Sequence, residues 1–299
     1  MGNACGKEEE AEVEDTSPKV STKENPGTLT LLSVKDDSES KLTKRFTFTA
    51  NPPIRVANTN SCFAIGIVKF GEKDGEEDKT RMYTPAASKN GGKTVELLIK
   101  KYDQNAKFGE VIELNMSSYI HSLAKGSTLS YIGPKEKYEY SQNKSKTLGL
   151  IAGGSGVTPM LQLVKRILAD TLDNTEVILL YGNSMEKDII ARKELEQLAA
   201  DNEQFTVHWF LTNAPSHPPW QGEYGRIDKN AIVTLLKAGN GPSHKEAVDK
   251  SEWIELRVAI CGPNSMIDTI CGPKQDGEQG PVTGILGGLG FDNDTVYKF

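Results

Sequence analysis

The chain has 299 residues, 37% hydrophobic and 25% charged, with a formal net charge of -6, a length that favours two domains and a composition ordinary for a globular protein. No apolar run approaches the roughly 18 residues of a membrane span and the amino terminus lacks a secretory stretch, so a cytoplasmic setting is expected, possible attachment to the cytosolic face of a membrane included, with no nucleic-acid partner. Four scattered cysteines (Cys5, Cys62, Cys261, Cys271) form no C-x-x-C pair and four histidines (His121, His208, His217, His244) show no ligand spacing, which argues against a disulfide framework and a metal site.

Residues 1–28 carry seven acidic and three basic side chains and almost no large apolar ones. Such a segment cannot offset the entropy of folding and reads as a flexible acidic tail. It begins Met1-Gly2-Asn3-Ala4-Cys5-Gly6-Lys7. The N-myristoylation pattern is met at Gly2 but departed from at Gly6, where Ser or Thr is usual. One myristoyl chain holds a membrane only marginally, so stable peripheral attachment needs a second acyl chain, for which Cys5 is the candidate. An unmodified polar tail is the alternative.

Residues 29–138 consist of short alternating runs, such as Thr28-Leu29-Thr30-Leu31-Leu32, Arg45-Phe46-Thr47-Phe48-Thr49 and Val95-Glu96-Leu97-Leu98-Ile99, separated by turn-forming clusters. They predict an antiparallel β-barrel domain. This segment has seventeen basic and thirteen acidic side chains inside an acidic protein. The surplus suits an acidic docking partner, and a solvated surface accounts for it equally well.

A polar connector over 139–147 precedes a change of period. From 148 to 299 strands alternate with helices: strands over 148–152, 177–181, 205–211 and 257–260, helices over 159–169, 192–200, 228–238 and a short one from Ser265. This alternation predicts βαβ units, a parallel sheet and an α/β domain with helices on both faces.

Chemistry concentrates at three places. After the first strand of the second half runs Gly153-Gly154-Ser155-Gly156-Val157-Thr158-Pro159-Met160. Glycines there allow a sharp turn and close approach to a pyrophosphate, and the following helix start offers free N–H groups. Thr158 is expected to cap that helix and Pro159 to sit in its first turn. A turn used only for packing remains open. The segment resembles the pyridine-nucleotide motif of ferredoxin reductase-like flavoenzymes. That resemblance directs attention to Arg81-Met82-Tyr83-Thr84-Pro85, which fits the companion flavin motif R-x-Y-[ST]. Physically, an arginine pairs with a pyrophosphate, a tyrosine covers an apolar ring and a threonine hydroxyl reaches a ring nitrogen. The third place is Cys261-Gly262-Pro263-Asn264-Ser265-Met266 at the end of a late strand, where ligands bind in open α/β sheets.

Together with Glu186-Lys187-Asp188-Ile189, these segments make residues 29–299 resemble the NADH-cytochrome b5 reductase family. The resemblance implies an FAD-binding barrel followed by a NAD(P)-binding domain, the flavin and nicotinamide meeting at the seam. By position, Arg81, Tyr83, Thr84, Ile99, Tyr102, Met116 and Ser117 would hold FAD. Gly153, Gly154, Ser155, Gly156, Thr158, Pro159, Asn183, Thr212, Cys261, Gly262, Pro263 and Met266 would hold the nucleotide, with Thr84, Lys100 and Cys261 beside the reacting rings. Three differences from the family stand out. Leu114-Asn115 replaces its Gly-Lys, and its Gly-x-His signature has no counterpart near Asn60-Ser61-Cys62-Phe63. Thr212 replaces an acidic residue that would meet the ribose 2′-hydroxyl, which predicts relaxed selectivity, with NADPH accepted better than is usual for the family.

The implied reaction moves hydride from NADH or NADPH to FAD and then single electrons to a haem acceptor such as cytochrome b5. Lys44, Lys89, Lys93 and Lys101 are the docking candidates on the flavin domain. Another redox protein, a small-molecule acceptor, or a membrane-tethered nucleotide-binding scaffold without turnover are the competing readings.

Overall fold

The computed structural model describes residues 21–58, 60–71, 77–102, 116–215, 219–236 and 256–299. Gly2, Cys5, Leu114, Asn115, His217 and His244 lie outside the described residues.

The first half contributes seven strands, β1 Gly27–Asp36, β2 Thr43–Asn51, β3 Ser61–Lys69, β4 Lys79–Tyr83, β5 Ala87–Lys89, β6 Thr94–Lys100 and β7 Thr128–Glu139, with a short helix α1 Met116–His121. They pair antiparallel in the order β4-β3-β7-β1-β2-β6-β5. Alternation puts Leu29, Leu31, Phe46, Phe48, Val95, Leu97 and Ile99 on one face, where Ile120 of α1 and Tyr131 complete a core. β3 does not alternate: it is buried from Ser61 to Val68. One of its faces meets that core, and Cys62 on the other joins the core of the second half. A strand covered on both sides loses the period-2 signal, so no alternation marks β3 in the sequence. β7 runs through Tyr138 to Glu139 before β8 begins at Thr147.

The second sheet is parallel, in the order β11-β10-β9-β8-β12-β13. Its strands are β8 Thr147–Gly153, β9 Glu176–Asn183, β10 Phe205–Leu211, β11 Glu223–Tyr224, β12 Leu256–Cys261 and β13 Val296–Lys298. Helices α2 Val157–Ala169 and α3 Arg192–Asp201 cover one face through Met160, Leu161, Val164, Ile167 and Leu195. Helices α4 Lys229–Leu236, α5 Asn264–Cys271 and α6 Gly284–Gly288 cover the other through Ile232, Leu236, Ile267, Ile270 and Leu286. Burial on both faces explains the continuous apolar runs of β8 and β9.

The helix after the glycine turn starts at Val157, two residues earlier than expected, and its N-cap is Gly156, which has no side chain to cap with. Thr158 is therefore not a cap. It lies inside the first turn, and its hydroxyl donates back to the Ser155 carbonyl at 3.2 Å. Pro159 does fall in that first turn, where a missing N–H costs nothing.

Candidate functional site

In the parallel sheet, β9, β10 and β11 lie on one side of β8, and β12 and β13 on the other. Chains leaving β8 and β12 therefore diverge to opposite sides, and the crevice outside such a switch point is where α/β sheets bind ligands. The glycine turn follows β8 and the Cys261-Gly262-Pro263 loop ends β12. The two loops are in contact. A Cβ on Gly156 would stand 2.2 Å from the Cys261 carbonyl oxygen, one on Gly153 2.8 Å from Pro263 Cδ, and one on Gly262 3.1 Å from the Gly153 nitrogen. Gly154 differs: its φ of +51° is left-handed, and nothing lies within 4 Å of where its Cβ would be. The Tyr181 hydroxyl donates to the Gly154 carbonyl at 2.9 Å and fixes that open turn. At the neighbouring strand ends, the Thr212 N–H donates to the Asn183 carbonyl at 3.1 Å. Asn183 is buried, and its side chain lies against the Tyr181 hydroxyl.

The antiparallel half supplies the other wall. On β4, Tyr83 lies opposite Ile65 and Arg81 opposite Ile67. Arg81 is exposed and makes no side-chain hydrogen bond or ion pair among the described residues. Tyr83 is half-buried, and burial pushes its phenol up to about 12 against the opposing pull of the Arg81 charge. Thr84 follows, half-buried, before the buried Pro85 and Ala86. Helix α2 holds this segment directly. Gln162 Nε2 donates to the Pro85 carbonyl at 3.0 Å and Lys165 Nζ to the Ala86 carbonyl at 2.8 Å, while Gln162 Oε1 accepts the Phe63 N–H at 2.8 Å. The helix that begins at the glycine turn thus grips the strand end that carries arginine, tyrosine and threonine.

Two further side chains cross from β6. Tyr102, just beyond it, has its hydroxyl 2.9 Å from Ser155 Oγ, and its N–H donates to Ser117 Oγ at 3.2 Å. Lys100 Nζ lies 3.6 Å from Asp188 Oδ2. Asp188 is buried and its other oxygen has no partner among the described residues. Tyr102 and Ser117 are thereby brought to the glycine turn, the segment from Arg81 to Thr84 is tied to the helix that follows it, and Lys100 pairs with Asp188 beyond β9. Ile99 and Met116 are not part of that surface: both side chains lie in the core of the antiparallel sheet, and the Ile99 carbonyl accepts from His121 Nε2 at 2.8 Å. Beside the crevice, Cys261 is half-buried, and burial pushes its thiol up to about 11 although Lys274 opposes the shift. It is neutral at pH 7. Phe299 donates its N–H to the Ile260 carbonyl at 2.9 Å, which seats the last residue next to Cys261.

Charge also joins the halves. Arg45 on β2 contacts Glu194 of α3 at 2.6 Å, Glu96 at 2.9 Å and Asp37 at 3.2 Å. Lys165 meets Glu194 at 2.5 Å, and Asp37 accepts the Ala191 N–H at 2.7 Å. Sequence reasoning assigned no role to Gln162, Lys165, Arg45 or Glu194. The available signal was Gln162 and Lys165 spaced three apart on the otherwise apolar face of α2. The four lysines considered for docking divide in two. Lys44 and Lys101 flank the carboxyl end of β6, and Lys89 and Lys93 flank its amino end, about 20 Å away at strand rise. Lys89 is already paired with Glu96 at 2.6 Å.

Comparison with known proteins matches an oxidoreductase FAD-binding domain to residues 32–140 and an oxidoreductase NAD-binding domain to residues 150–272. NADH-cytochrome b5 reductase 2 of Neurospora crassa is 34% identical over 259 residues, spanning 86% of this chain and 68% of its own length. NADH-cytochrome b5 reductase 2 of Aspergillus fumigatus is 34% identical over 285 residues, 94% of this chain and 80% of its own. Among solved structures, the cytochrome b5 reductase domain of Ulva prolifera nitrate reductase superposes with a TM-score of 0.70 at 23% identity, covering 93% of this chain and 99% of that one. The CS-b5R domains of human Ncb5or, in the NAD+ form, give 0.66 at 22% identity over 96% of this chain and 71% of that one. These two likenesses are of fold.

Proposed function

The chain belongs to the family of NADH-cytochrome b5 reductases, and from that premise we propose that it carries electrons from NADH or NADPH through FAD to a haem protein of the cytochrome b5 type. It is an oxidoreductase with an FAD-binding and an NAD-binding domain, and it passes electrons to a redox partner. The observation that carries the reading is the meeting of the three segments: the glycine turn touches the Cys261 loop, and α2, which begins at that turn, grips the strand end bearing Arg81, Tyr83 and Thr84.

The residues fit both groups. The turn at Gly154 is open where its Cβ would be, the Asn183 side chain lies against the Tyr181 hydroxyl that fixes that turn, and Arg81 has no ion pair among the described residues. FAD would be held by Arg81, Tyr83 and Thr84 with Tyr102 and Ser117, supported from the core by Ile99 and Met116. The nicotinamide nucleotide would be held by residues 153–156, the start of α2 at Thr158 and Pro159, Asn183, Thr212, and the loop of Cys261, Gly262, Pro263 and Met266. Bound there, FAD supplies acceptance of a hydride and its release as single electrons. The protein's part is placement and exclusion of water. The neutral Cys261 thiol would position the nicotinamide, and Lys100, paired with Asp188, would lie beside the reacting rings. Domain limits of 29–138 and 148–299, joined by 139–147, follow from the same reading.

The haem partner would dock beside Lys44 and Lys101, the lysine pair at the same end of β6 as Lys100. Among the described residues no helix is long and apolar enough to cross a membrane. Membrane association would rest on acylation of Gly2 and Cys5, for which the support is the sequence pattern and the test is mass spectrometry of the native amino terminus.

The deciding experiment is anaerobic titration of purified protein with NADH. A yellow protein bleached stoichiometrically by NADH is expected. A colourless protein, or a flavin that NADH leaves unchanged, overturns the proposal.

A further inference from the structure

We propose that Lys137 and Lys274, gathered beside the last strand, make the nicotinamide end of the crevice prefer the reduced nucleotide to its oxidised product. The reduced ring is neutral and the oxidised ring carries a positive charge, so a nearby cation repels only the second. The inference rests on reading the Cys261 loop as the nicotinamide site.

Hydrogen bonds to β13 bring the two lysines to the same place. The Phe299 N–H donates to the carbonyl of Ile260, the residue before Cys261, at 2.9 Å. Lys298, one residue earlier, reaches the loop that follows α5: its Nζ donates to the Pro273 carbonyl at 3.1 Å and to the Pro281 carbonyl at 2.9 Å. Gln279 closes the same loop onto the strand, its Oε1 accepting the Lys298 N–H at 2.7 Å and its Nε2 donating to the Lys298 carbonyl at 3.0 Å. Lys274, next to Pro273, is therefore anchored two bonded residues from the Cys261 loop. From the antiparallel half, the Lys137 carbonyl accepts the Tyr297 hydroxyl, and the Tyr297 ring packs on Tyr138 with centroids 4.8 Å apart. Segments of both halves thus meet along β13, and each brings a lysine.

No carboxylate cancels these charges. Lys135, Lys137 and Lys274 form no ion pair among the described residues. Burial holds the ammonium groups of Lys137 and Lys274 below the usual lysine range, and repulsion among Lys135, Lys137, Lys274 and Lys298 adds to it, against the pull of Cys261 and Glu278 on Lys274. The Lys274 charge acts in turn on the Cys261 thiol. Glu136, the acid between Lys135 and Lys137 in the chain, is engaged on the other side by the Ser61 hydroxyl at 2.8 Å and the Asn58 N–H at 3.2 Å. Lys298 is fully buried and its Nζ is satisfied by main-chain carbonyls, which solvate its charge without neutralising it. Lys100 differs, because Asp188 pairs with it at 3.6 Å. The uncompensated positive charge at this end of the crevice is therefore that of the lysines beside β13.

The test is calorimetric binding of NAD+ and of tetrahydro-NAD, whose ring is uncharged and has no hydride to give, to the full-length, FAD-loaded protein. Lys274 is exposed and Lys137 half-buried, so both can be replaced without opening a core. The wild type is expected to hold tetrahydro-NAD more tightly than NAD+, with a ratio that narrows as salt is raised. Lys137→Gln combined with Lys274→Gln is expected to tighten NAD+ about three- to ten-fold, as loss of nearby like charges would give, and to leave tetrahydro-NAD unchanged. Lys137→Arg combined with Lys274→Arg keeps the charges and should bind both as the wild type does. Equal wild-type affinities, a ratio that salt does not narrow, a glutamine pair that moves both probes alike or neither, or an arginine pair that behaves like the glutamine pair overturns the inference. If neither probe binds while NADH still bleaches the flavin, the discrimination is likewise overturned and the reductase reading stands. Failure of NADH to bleach the flavin overturns that reading itself.

Discussion

Arg45→Met tests whether charge holds the two halves together. The guanidinium is 20% exposed and serves Asp37, Glu96 and Glu194, themselves 7%, 14% and 29% exposed. Removing one partner of a fully buried pair costs about 3–5 kcal/mol, and of an exposed pair about 0–1 kcal/mol. Arg45 lies between these limits, and each carboxylate keeps a second donor: the Ala191 N–H for Asp37, Lys89 for Glu96 and Lys165 for Glu194. A loss of about 2 kcal/mol at pH 7 is therefore expected. The pH dependence has a defined sign. Burial raises the pKa of Glu96 and Glu194, but their lysine and arginine partners outweigh it and hold both below the ordinary value. Groups depressed in the folded state stabilise above the unfolded pKa, about 4.3 for Glu, and that stability disappears as pH falls through the folded values. The deficit of Arg45→Met should be full at pH 7 and shrink below about pH 4. Urea unfolding of the FAD-loaded protein, followed by tryptophan fluorescence and by flavin release, measures it. A loss under about 0.5 kcal/mol at pH 7, or one that does not change between pH 7 and pH 3.5, refutes the reasoning.

Gly156→Ala puts a methyl 2.2 Å from a backbone carbonyl of the Cys261 loop; a stability loss of about 1–3 kcal/mol and at least a ten-fold weaker NADH affinity are expected in denaturation and binding assays. Cys261→Ala should slow flavin reduction by NADH about ten-fold in stopped flow while FAD content is unchanged, because the thiol positions and does not react; loss of flavin from this variant would contradict that role. Burial raises the thiol pKa of Cys62, and it raises those of Cys261 and Cys271 to about 11, so iodoacetamide at pH 7.5 should label none of the three quickly in the folded protein, as peptide mapping would read. If Lys44 and Lys101 steer the haem partner, Lys44→Glu combined with Lys101→Glu should weaken its docking and flatten the salt dependence of acceptor turnover, with NADH-driven flavin reduction unaltered.

Local pattern determined a great deal of this molecule. Alternation in β1, β2 and β6 and the apolar runs of β8 and β9 were legible because each depends on residues adjacent in the chain and on whether one face or two are covered. The glycine turn, the Arg81–Thr84 segment and the Cys261 loop were legible for the same reason, since each is a short string whose chemistry is local. What only the tertiary structure decided depends on residues far apart. β3 is covered on its outer face by a helix about a hundred residues later, so its sequence shows no period. Val157 and not Pro159 begins α2, because Gly156 packs against the Cys261 carbonyl and sets where the turn ends. Ile99 faces the core while Lys100 and Tyr102, on the same short stretch, cross to the other domain. The pairing of β10 with β11 sets Tyr224 beside Leu211, and no spacing in the sequence announces it. Each segment's conformation follows from its own residues, whereas which segments become neighbours follows from how two separate cores are packed together.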